Sequence, residues 1–177
     1  GLREKLAPWL PASLAPPPVA VSAERRAQLD QLIAKRVVQV ENQTADLVAG
    51  ETVFRTHCAV CHQIGGAGGL IGPQLDGIGK RGVARLCEDI LDPNRNVDAH
   101  FHLHTLTLRD GSIAGGFVRS ETAKVIRLID AAGQEHPVVK ADIAESQVSA
   151  LSLMPPNFGD LVPEADFRNL IGWLMVR

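Results

Sequence analysis

The stretch Cys58-Ala59-Val60-Cys61-His62 decides how this chain is interpreted. Its pattern, C-x-x-C-H, is the attachment signature of a c-type haem. Two thiols separated by two residues on one turn match the spacing of the two vinyl groups at a porphyrin edge, with which they form thioethers. The imidazole that follows directly can bind the iron. The motif therefore predicts that Cys58 and Cys61 anchor one covalent haem c and that His62 is an axial ligand.

Two other uses of a C-x-x-C pair compete with this interpretation. A zinc site needs two further ligands at suitable spacing, but Cys87 is the only other cysteine and no second C-x-x-C pair occurs. A thioredoxin-like redox pair is expected in a βαβ setting, and no such pattern surrounds Cys58. Cys87 itself lies in an apolar helical stretch, where we expect a small buried side chain rather than a reactive thiol.

Composition excludes several classes of protein. The chain has 177 residues, 45% of them hydrophobic and 21% charged, which is typical of a globular protein. A net charge of −2 gives no electrostatic reason to expect nucleic acid binding. No apolar run approaches the roughly 20 residues of a membrane span.

The first residues and the haem motif together suggest where the protein works. The chain opens with Gly1 and has neither an initiator Met nor an apolar signal segment, so we expect a mature protein or a fragment of a longer one. Haem attachment to C-x-x-C-H takes place outside the cytoplasm in bacteria. We therefore expect a periplasmic or otherwise extracytoplasmic protein whose export signal is removed or lies upstream.

Residues 1–45 are expected to form a Pro-rich arm followed by an N-terminal helix. The density of prolines before residue 22 prevents a continuous helix, and Trp9 is expected to pack against an apolar surface. Ser22 is a good helix N-cap, and apolar residues recur behind it at helical spacing up to Val40.

Residues 101–140 depart from the helical patterns on either side. Segments rich in β-branched and apolar residues flank two turn signals, Asp110-Gly111 and Ala131-Ala132-Gly133. This pattern predicts an inserted antiparallel meander of three or four strands.

Three histidines stand at the entry to this insertion. His100, His102 and His104 alternate, so a strand would place them on one side, where they could bind a metal. The apolar residues change parity after Leu103, however, which argues against a continuous strand from residue 100. Surface histidines at a strand entry are the preferred interpretation.

The chain contains two methionines that could supply a soft axial ligand. Met175 belongs to the apolar stripe of the last helical stretch, and core packing explains it. Met154 precedes two prolines, which forbid a helix and hold an extended loop. A thioether on such a loop can be presented to the distal side of a haem, so we predict Met154 as the second axial ligand.

Several phrases together resemble a class I cytochrome c. They are Gly50-x-x-x-Phe54, Cys58-x-x-Cys61-His62, Gly72-Pro73-x-Leu75-x-Gly77 and Leu153-Met154-Pro155. More closely, the chain resembles the haem-binding domain at the C-terminal end of large planctomycete and verrucomicrobial multidomain proteins. The phrases that carry this resemblance are residues 61–65, 92–98 and 151–155.

The resemblance covers about residues 46–177 and implies a mainly α protein. The expected architecture is a class I cytochrome c fold with an inserted small antiparallel β meander, about residues 101–140, and an N-terminal helical arm. It also implies that Trp173 in the last helix packs near Gly50 and Phe54.

His62 and Met154 as iron ligands, with Cys58 and Cys61 as anchors, predict electron transfer rather than enzyme activity. The expected partner is a redox protein or a fused dehydrogenase-type domain, without nucleic acid. A haem-based sensor or small-ligand binder with a labile sixth ligand is the alternative. A peroxidase-type enzyme is a further one, but such enzymes usually carry two C-x-x-C-H motifs and this chain has one.

Overall fold

The structure is a computed structural model that describes residues 21–130, 132–149 and 151–177. The predicted Pro-rich arm and Trp9 lie outside these residues. The described chain divides into two compact units. We call residues 21–96 together with 154–177 the helical unit, and residues 97–153 the β unit.

The helical unit contains five α-helices, a short hairpin and a 3₁₀ helix. The α-helices are α1 (Ala23–Asn42), α2 (Leu47–His57), α3 (Val83–Leu91), α4 (Phe158–Leu161) and α5 (Glu164–Leu174). The hairpin strands are β1 (Gln63–Ile64) and β2 (Ala67–Gly68), and the 3₁₀ helix is Ile78–Arg81.

The first two helices begin at side chains that accept hydrogen bonds from their first turns. Ser22 caps α1 by accepting a bond from the Arg25 N–H at 3.1 Å, which confirms the predicted start of this helix. Asp46 caps α2 by accepting from the N–H groups of Val48 and Ala49.

The core of the helical unit forms where α2 crosses α5. A Cβ added at Gly50 would lie 2.7 Å from the Trp173 Cβ, so only glycine permits this approach of the two backbones. The Phe54 and Trp173 rings pack beside the crossing with their centroids 4.9 Å apart. The predicted contact of Trp173 with Gly50 and Phe54 is therefore confirmed.

Helix α1 packs on α3 and α5 through charged groups as well as apolar ones. Lys35 Nζ lies 2.6 Å from Glu164 Oε1, and the buried Arg36 guanidinium lies 5.6 Å from the centre of the Phe167 ring. Asp30 forms an ion pair of 2.5 Å with Arg95, beyond the end of α3. These contacts make α1 an integral part of the helical unit.

The β unit is one antiparallel sheet of five strands in the order β6-β5-β4-β3-β7. The strands are β3 (Leu103–Leu108), β4 (Ile113–Glu121), β5 (Val125–Ile129), β6 (Glu135–Val139) and β7 (Ile143–Ser149). A 3₁₀ helix, Lys140–Asp142, joins the last two strands. Strand β7 returns beside β3, so that Leu103 is paired with Ser149. The first and the last residue of the five strands are therefore neighbours.

One face of this sheet encloses a small core. Its fully buried members are Leu106 and Leu128, with Ile126 and Val138 beside them. These residues come from the three strands β3, β5 and β6, and alternate with exposed positions as a sheet with one apolar face requires.

The expected mainly α fold is wrong. Of the residues that the structure describes, 42% are helical and 23% are in strands, and a five-stranded sheet is a substantial part of the fold. The expected three or four strands omitted β7, whose residues are largely polar. Because β7 forms by pairing with β3 rather than through an apolar pattern of its own, its sequence carried little sign of a strand.

The three alternating histidines do not share a strand. His100 lies in the 3₁₀ helix Ala99–Phe101, His102 follows it, and His104 is the second residue of β3. Among the described residues, no group of three or more His, Cys, Asp or Glu side chains is placed to hold a metal ion. Within the same residues, no helix has both the length and the apolar character to cross a membrane.

Candidate functional site

The Cys58–His62 motif occupies two overlapping turns directly after α2. The Cys58 N–H donates to the Phe54 carbonyl at 2.8 Å and so continues the helical bonding to the first cysteine. The N–H groups of Cys61 and His62 then both donate to the Cys58 carbonyl, at 3.0 and 2.9 Å. The two thiols and the imidazole are thereby gathered on one compact segment.

The His62 ring is fixed by a backbone carbonyl. His62 Nδ1 lies 2.8 Å from the Pro73 carbonyl oxygen. A carbonyl only accepts, so Nδ1 carries the hydrogen and, in the neutral ring, Nε2 keeps the lone pair that a metal needs. Burial lowers the pKa of His62, while the bond to Pro73 opposes that shift. The ring is therefore held in the tautomer of a metal-binding histidine.

Glycine allows the loop after the motif to lie against this ring. A Cβ added at Gly72 would stand 2.7 Å from His62 Cε1, so the backbone of this loop packs directly on the imidazole. The Gly72 N–H donates to the Cys61 carbonyl at 2.8 Å, and the Leu75 N–H donates to the Gln63 carbonyl at 2.9 Å. The close packing of this loop on the imidazole therefore depends on the missing side chain of Gly72.

The two thiols are held in their neutral form. Burial, and to a smaller extent the neighbouring Cys61, raise the pKa of Cys58 to about 12. Burial also raises the pKa of Cys61. Reactive redox cysteines sit where the thiolate is favoured, which is the opposite environment. This argues against a thioredoxin-like use of the pair.

Met154 and Met175 lie in different surroundings, although both pack on the core of the helical unit. Met154 is half-buried in the loop before α4, next to the exposed Pro155 and Pro156. Met175 ends α5, and its backbone is packed against Gly79. Cys58 also packs on this core, which extends through the helical unit from Val53 to Leu174.

The residues present fit a covalent haem c. The donor set consists of two neutral thiols, one imidazole with Nε2 available to a metal, and one thioether. Half-buried apolar side chains close to the motif in sequence pack on the core of the helical unit; they include Ala59, Ile64, Leu75 and Ile78. A macrocycle with an apolar body needs such a lining.

Comparison with known proteins agrees with this chemistry. Residues 47–100 match the family model described as Cytochrome c. No curated protein matches the chain significantly. The matched residues include α2, the Cys58–His62 motif, the loop that contacts His62, and α3.

Residues 47–100 are therefore similar to cytochrome c domains, a class of domain that holds haem c and carries electrons. The match ends before β3, so it covers neither the sheet nor Met154. The more specific resemblance to planctomycete and verrucomicrobial proteins stays a prediction.

Two residues of the site were not recognised from the sequence as having a role. Pro73 acts through its carbonyl, which no side-chain pattern reveals, although its position in Gly72-Pro73-x-Leu75-x-Gly77 was a signal. Asp76, in the same phrase, accepts a hydrogen bond from the Gly65 N–H at 2.7 Å. A bond between residues eleven apart has no local sequence signal.

Proposed function

We propose that this chain transfers electrons through one covalent haem c with His62 and Met154 as axial ligands. Cys58 and Cys61 would anchor the porphyrin, and the protein would work in the periplasm or another extracytoplasmic compartment. Its partner would be a redox protein or a fused dehydrogenase-type domain. Haem iron supplies a one-electron couple, and the residues described here determine how that couple is held.

The observation that carries the proposal is the arrangement of His62 behind two neutral thiols. The Pro73 carbonyl orients the ring through Nδ1, and the turn of the motif attaches the ring to both cysteines. Because the segment is held at several backbone atoms, the ligand has little freedom to reorganise when the charge on iron changes. Low reorganisation suits outer-sphere electron transfer.

Met154 is proposed as the distal ligand because of its loop. The prolines after it restrict the backbone, and its side chain packs against the cluster that also contacts Cys58. A thioether is a softer donor than imidazole and favours ferrous iron, which raises the potential relative to bis-histidine ligation. With both axial positions filled, the site has no open position for substrate chemistry.

The attachment of the haem is tested by extraction. The holoprotein is denatured in acid acetone, and the solvent and protein phases are compared in the visible range. We expect the haem to stay with the protein in the wild type and to leave with the solvent in a Cys58→Ser, Cys61→Ser double variant. Haem that leaves the wild-type protein would contradict the proposed thioethers.

The distal ligand is tested by comparing the two methionines. In Met154→Ala we expect loss of the weak sulfur-to-iron charge-transfer band of the ferric protein, together with ready binding of imidazole. Met175→Leu should keep the band and cost less than about 1.5 kcal/mol of unfolding free energy, because it conserves volume. A wild-type ferric spectrum in Met154→Ala would assign the sixth position to another residue.

Carbon monoxide distinguishes electron transfer from ligand sensing. A firmly bound Met154 should keep carbon monoxide off the reduced wild-type protein, whereas Met154→Ala should bind it. Rapid binding by the wild type would instead support a sensor with a labile sixth ligand.

A further inference from the structure

The hairpin that follows the Cys58–His62 motif contains a backbone donor that the hairpin leaves unpaired. Gly65 and Gly66 are its two central residues, with φ of 59° and 78°, a turn that favours glycine. The N–H of the first central residue takes no part in pairing the two strands. Asp76 Oδ1 accepts this N–H from Gly65 at 2.7 Å.

Asp76 also bonds within its own loop. Its second oxygen, Oδ2, accepts a hydrogen bond from the side-chain amide of Gln74. One carboxylate thus joins the tip of the β1–β2 hairpin to the segment 72–77. The side chain is exposed, so its hydrogen bonds rather than burial hold it in this position.

The segment that Asp76 holds is the one that orients His62. Pro73, whose carbonyl accepts the Nδ1–H of His62, lies three residues before Asp76. Two backbone bonds hold the segment at Gly72 and Leu75. Asp76 adds a side-chain link at the far end of the same segment, beyond Leu75.

We propose that Asp76 is a positioning residue for His62, and this inference rests on the haem function proposed above. By fixing the segment 72–77 against the hairpin, Asp76 keeps the Pro73 carbonyl aligned with Nδ1–H. A hydrogen bond to the outer nitrogen raises the basicity of a ligating imidazole. Loss of the alignment makes His62 a weaker donor to ferric iron and raises the reduction potential.

The charge of Asp76 acts in the same direction as its hydrogen bonds, so the test must separate the two. Asp76→Ala removes both the acceptor and the charge. Asp76→Asn removes the charge but keeps an oxygen that can accept the Gly65 N–H. We expect the potential to rise more in Asp76→Ala than in Asp76→Asn, where only the contribution of the charge is lost.

Asp110 provides a matched control in the β unit. Its Oδ1 accepts from the Ser112 N–H at 2.8 Å and the Ser112 hydroxyl at 2.7 Å, so it is also an exposed turn carboxylate. Asp110→Ala should loosen its own turn and leave the potential unchanged. An equal shift in Asp110→Ala and Asp76→Ala would contradict a specific role for Asp76.

A second readout does not depend on the potential. In the intact holoprotein, hydrogen exchange at the Gly65 amide should be about tenfold faster in Asp76→Ala, because a bond to a charged acceptor is lost. Unchanged exchange at Gly65 would overturn the proposal. So would a potential that is raised equally in Asp76→Ala and Asp76→Asn, since charge alone would then explain it.

Failure of the proposed function looks different. A chain that takes up no covalent haem contradicts the haem assignment itself. A holoprotein with a normal spectrum and an unshifted potential in Asp76→Ala contradicts only the role of Asp76.

Discussion

The helical unit and the β unit differ in how far apart in sequence their packed elements lie. In the helical unit, α2 packs on α5, more than a hundred residues later in the chain. In the β unit, β3, β4 and β5 each pair with the next strand, and only the β3–β7 pair is distant. Local pairing forms at a smaller entropic cost. The difference indicates that the sheet can form by itself, whereas the helical unit needs both ends of its sequence.

Excision of the sheet is the strongest test of this difference. Because Leu103 and Ser149 are paired, a short Gly-Ser linker can replace residues 103–149 without changing the distance that the chain must span. We expect the strand signal in far-UV circular dichroism to disappear and the visible haem spectrum to remain. Loss of the native iron spectrum in a folded product would show that the sheet shapes the haem site.

A pair of core truncations tests whether the two units unfold separately. Leu128 in the β unit and Leu170 in the helical unit are both fully buried. Each Leu→Ala change should cost about 2–5 kcal/mol of unfolding free energy in its own unit. In a urea titration, Leu128→Ala should shift the loss of strand signal and leave the visible spectrum in place, and Leu170→Ala should do the reverse. Equal shifts of both signals in both variants would indicate one cooperative unit.

Two glycine substitutions sharpen the comparison at the level of backbone contacts. Gly50→Ala forces α2 and α5 apart, and we expect a loss of about 1–3 kcal/mol, as in other overpacked cores. Gly115→Ala in β4 is the matched control, since an added Cβ would meet only the His104 carbonyl at 3.8 Å. Its effect should stay below about 1 kcal/mol. Thermal unfolding gives both values, and a tolerated Gly50→Ala would show that α2 and α5 can separate at little cost.

The smallest expected effect is on the stability of the two units at low pH. The hydrogen bond from Lys35 is the main cause that lowers the pKa of Glu164 below its usual 4.5, and the bond to His136 likewise lowers the pKa of Asp130 below its usual 3.8. A carboxylate with a lowered folded-state pKa stabilises fully above its unfolded pKa and loses that contribution as pH falls through the folded value.

In Glu164→Gln, the helical unit should therefore lose less stability as the pH falls below about 4.5 than it does in the wild type. In Asp130→Asn, the β unit should lose less stability as the pH falls below about 4. Glu164 is exposed and Asp130 is only half-buried, so added salt should shrink both effects. Melting curves of the two signals between pH 5 and pH 2 are the measurement. If the melting temperature of a variant falls with pH as steeply as in the wild type, the carboxylate replaced in that variant does not contribute to the acid sensitivity.

Local spacing predicted the Cys58–His62 motif and the helix that begins after Ser22. The contact of Trp173 with Gly50 and Phe54 was implied by the resemblance to class I cytochromes c, and Asp110-Gly111 identified a tight turn. Strand β7 was missed because Ala144, Glu145 and Ser146 are exposed and give no apolar period. Its partner β3 lies about forty residues earlier, and only the folded chain brings the two together.

The candidate site also contains residues that could be predicted from the sequence and groups that could not. Residues that would bond covalently or to iron are identified by their chemistry and spacing, so Cys58, Cys61, His62 and Met154 could be named from the sequence and stay predictions as ligands. Groups that orient them act through backbone atoms or across loops. The Pro73 carbonyl and the Asp76 carboxylate belong to this second kind, and a sequence pattern does not show which atoms they contact.

The pairing of Leu103 with Ser149 affects the entropic cost of closing the loop between α3 and Met154. Between α3 and Met154 the chain has roughly 60 residues, but once the sheet has closed only roughly 15 of them remain as a flexible connection. Each halving of a loop lowers its closure cost by about 0.6 kcal/mol, so a preformed sheet saves about 1.2 kcal/mol when Met154 is brought back to the helical unit. A self-closing module can therefore lie between α3 and Met154 without the entropic penalty that an unstructured insertion of the same length would impose.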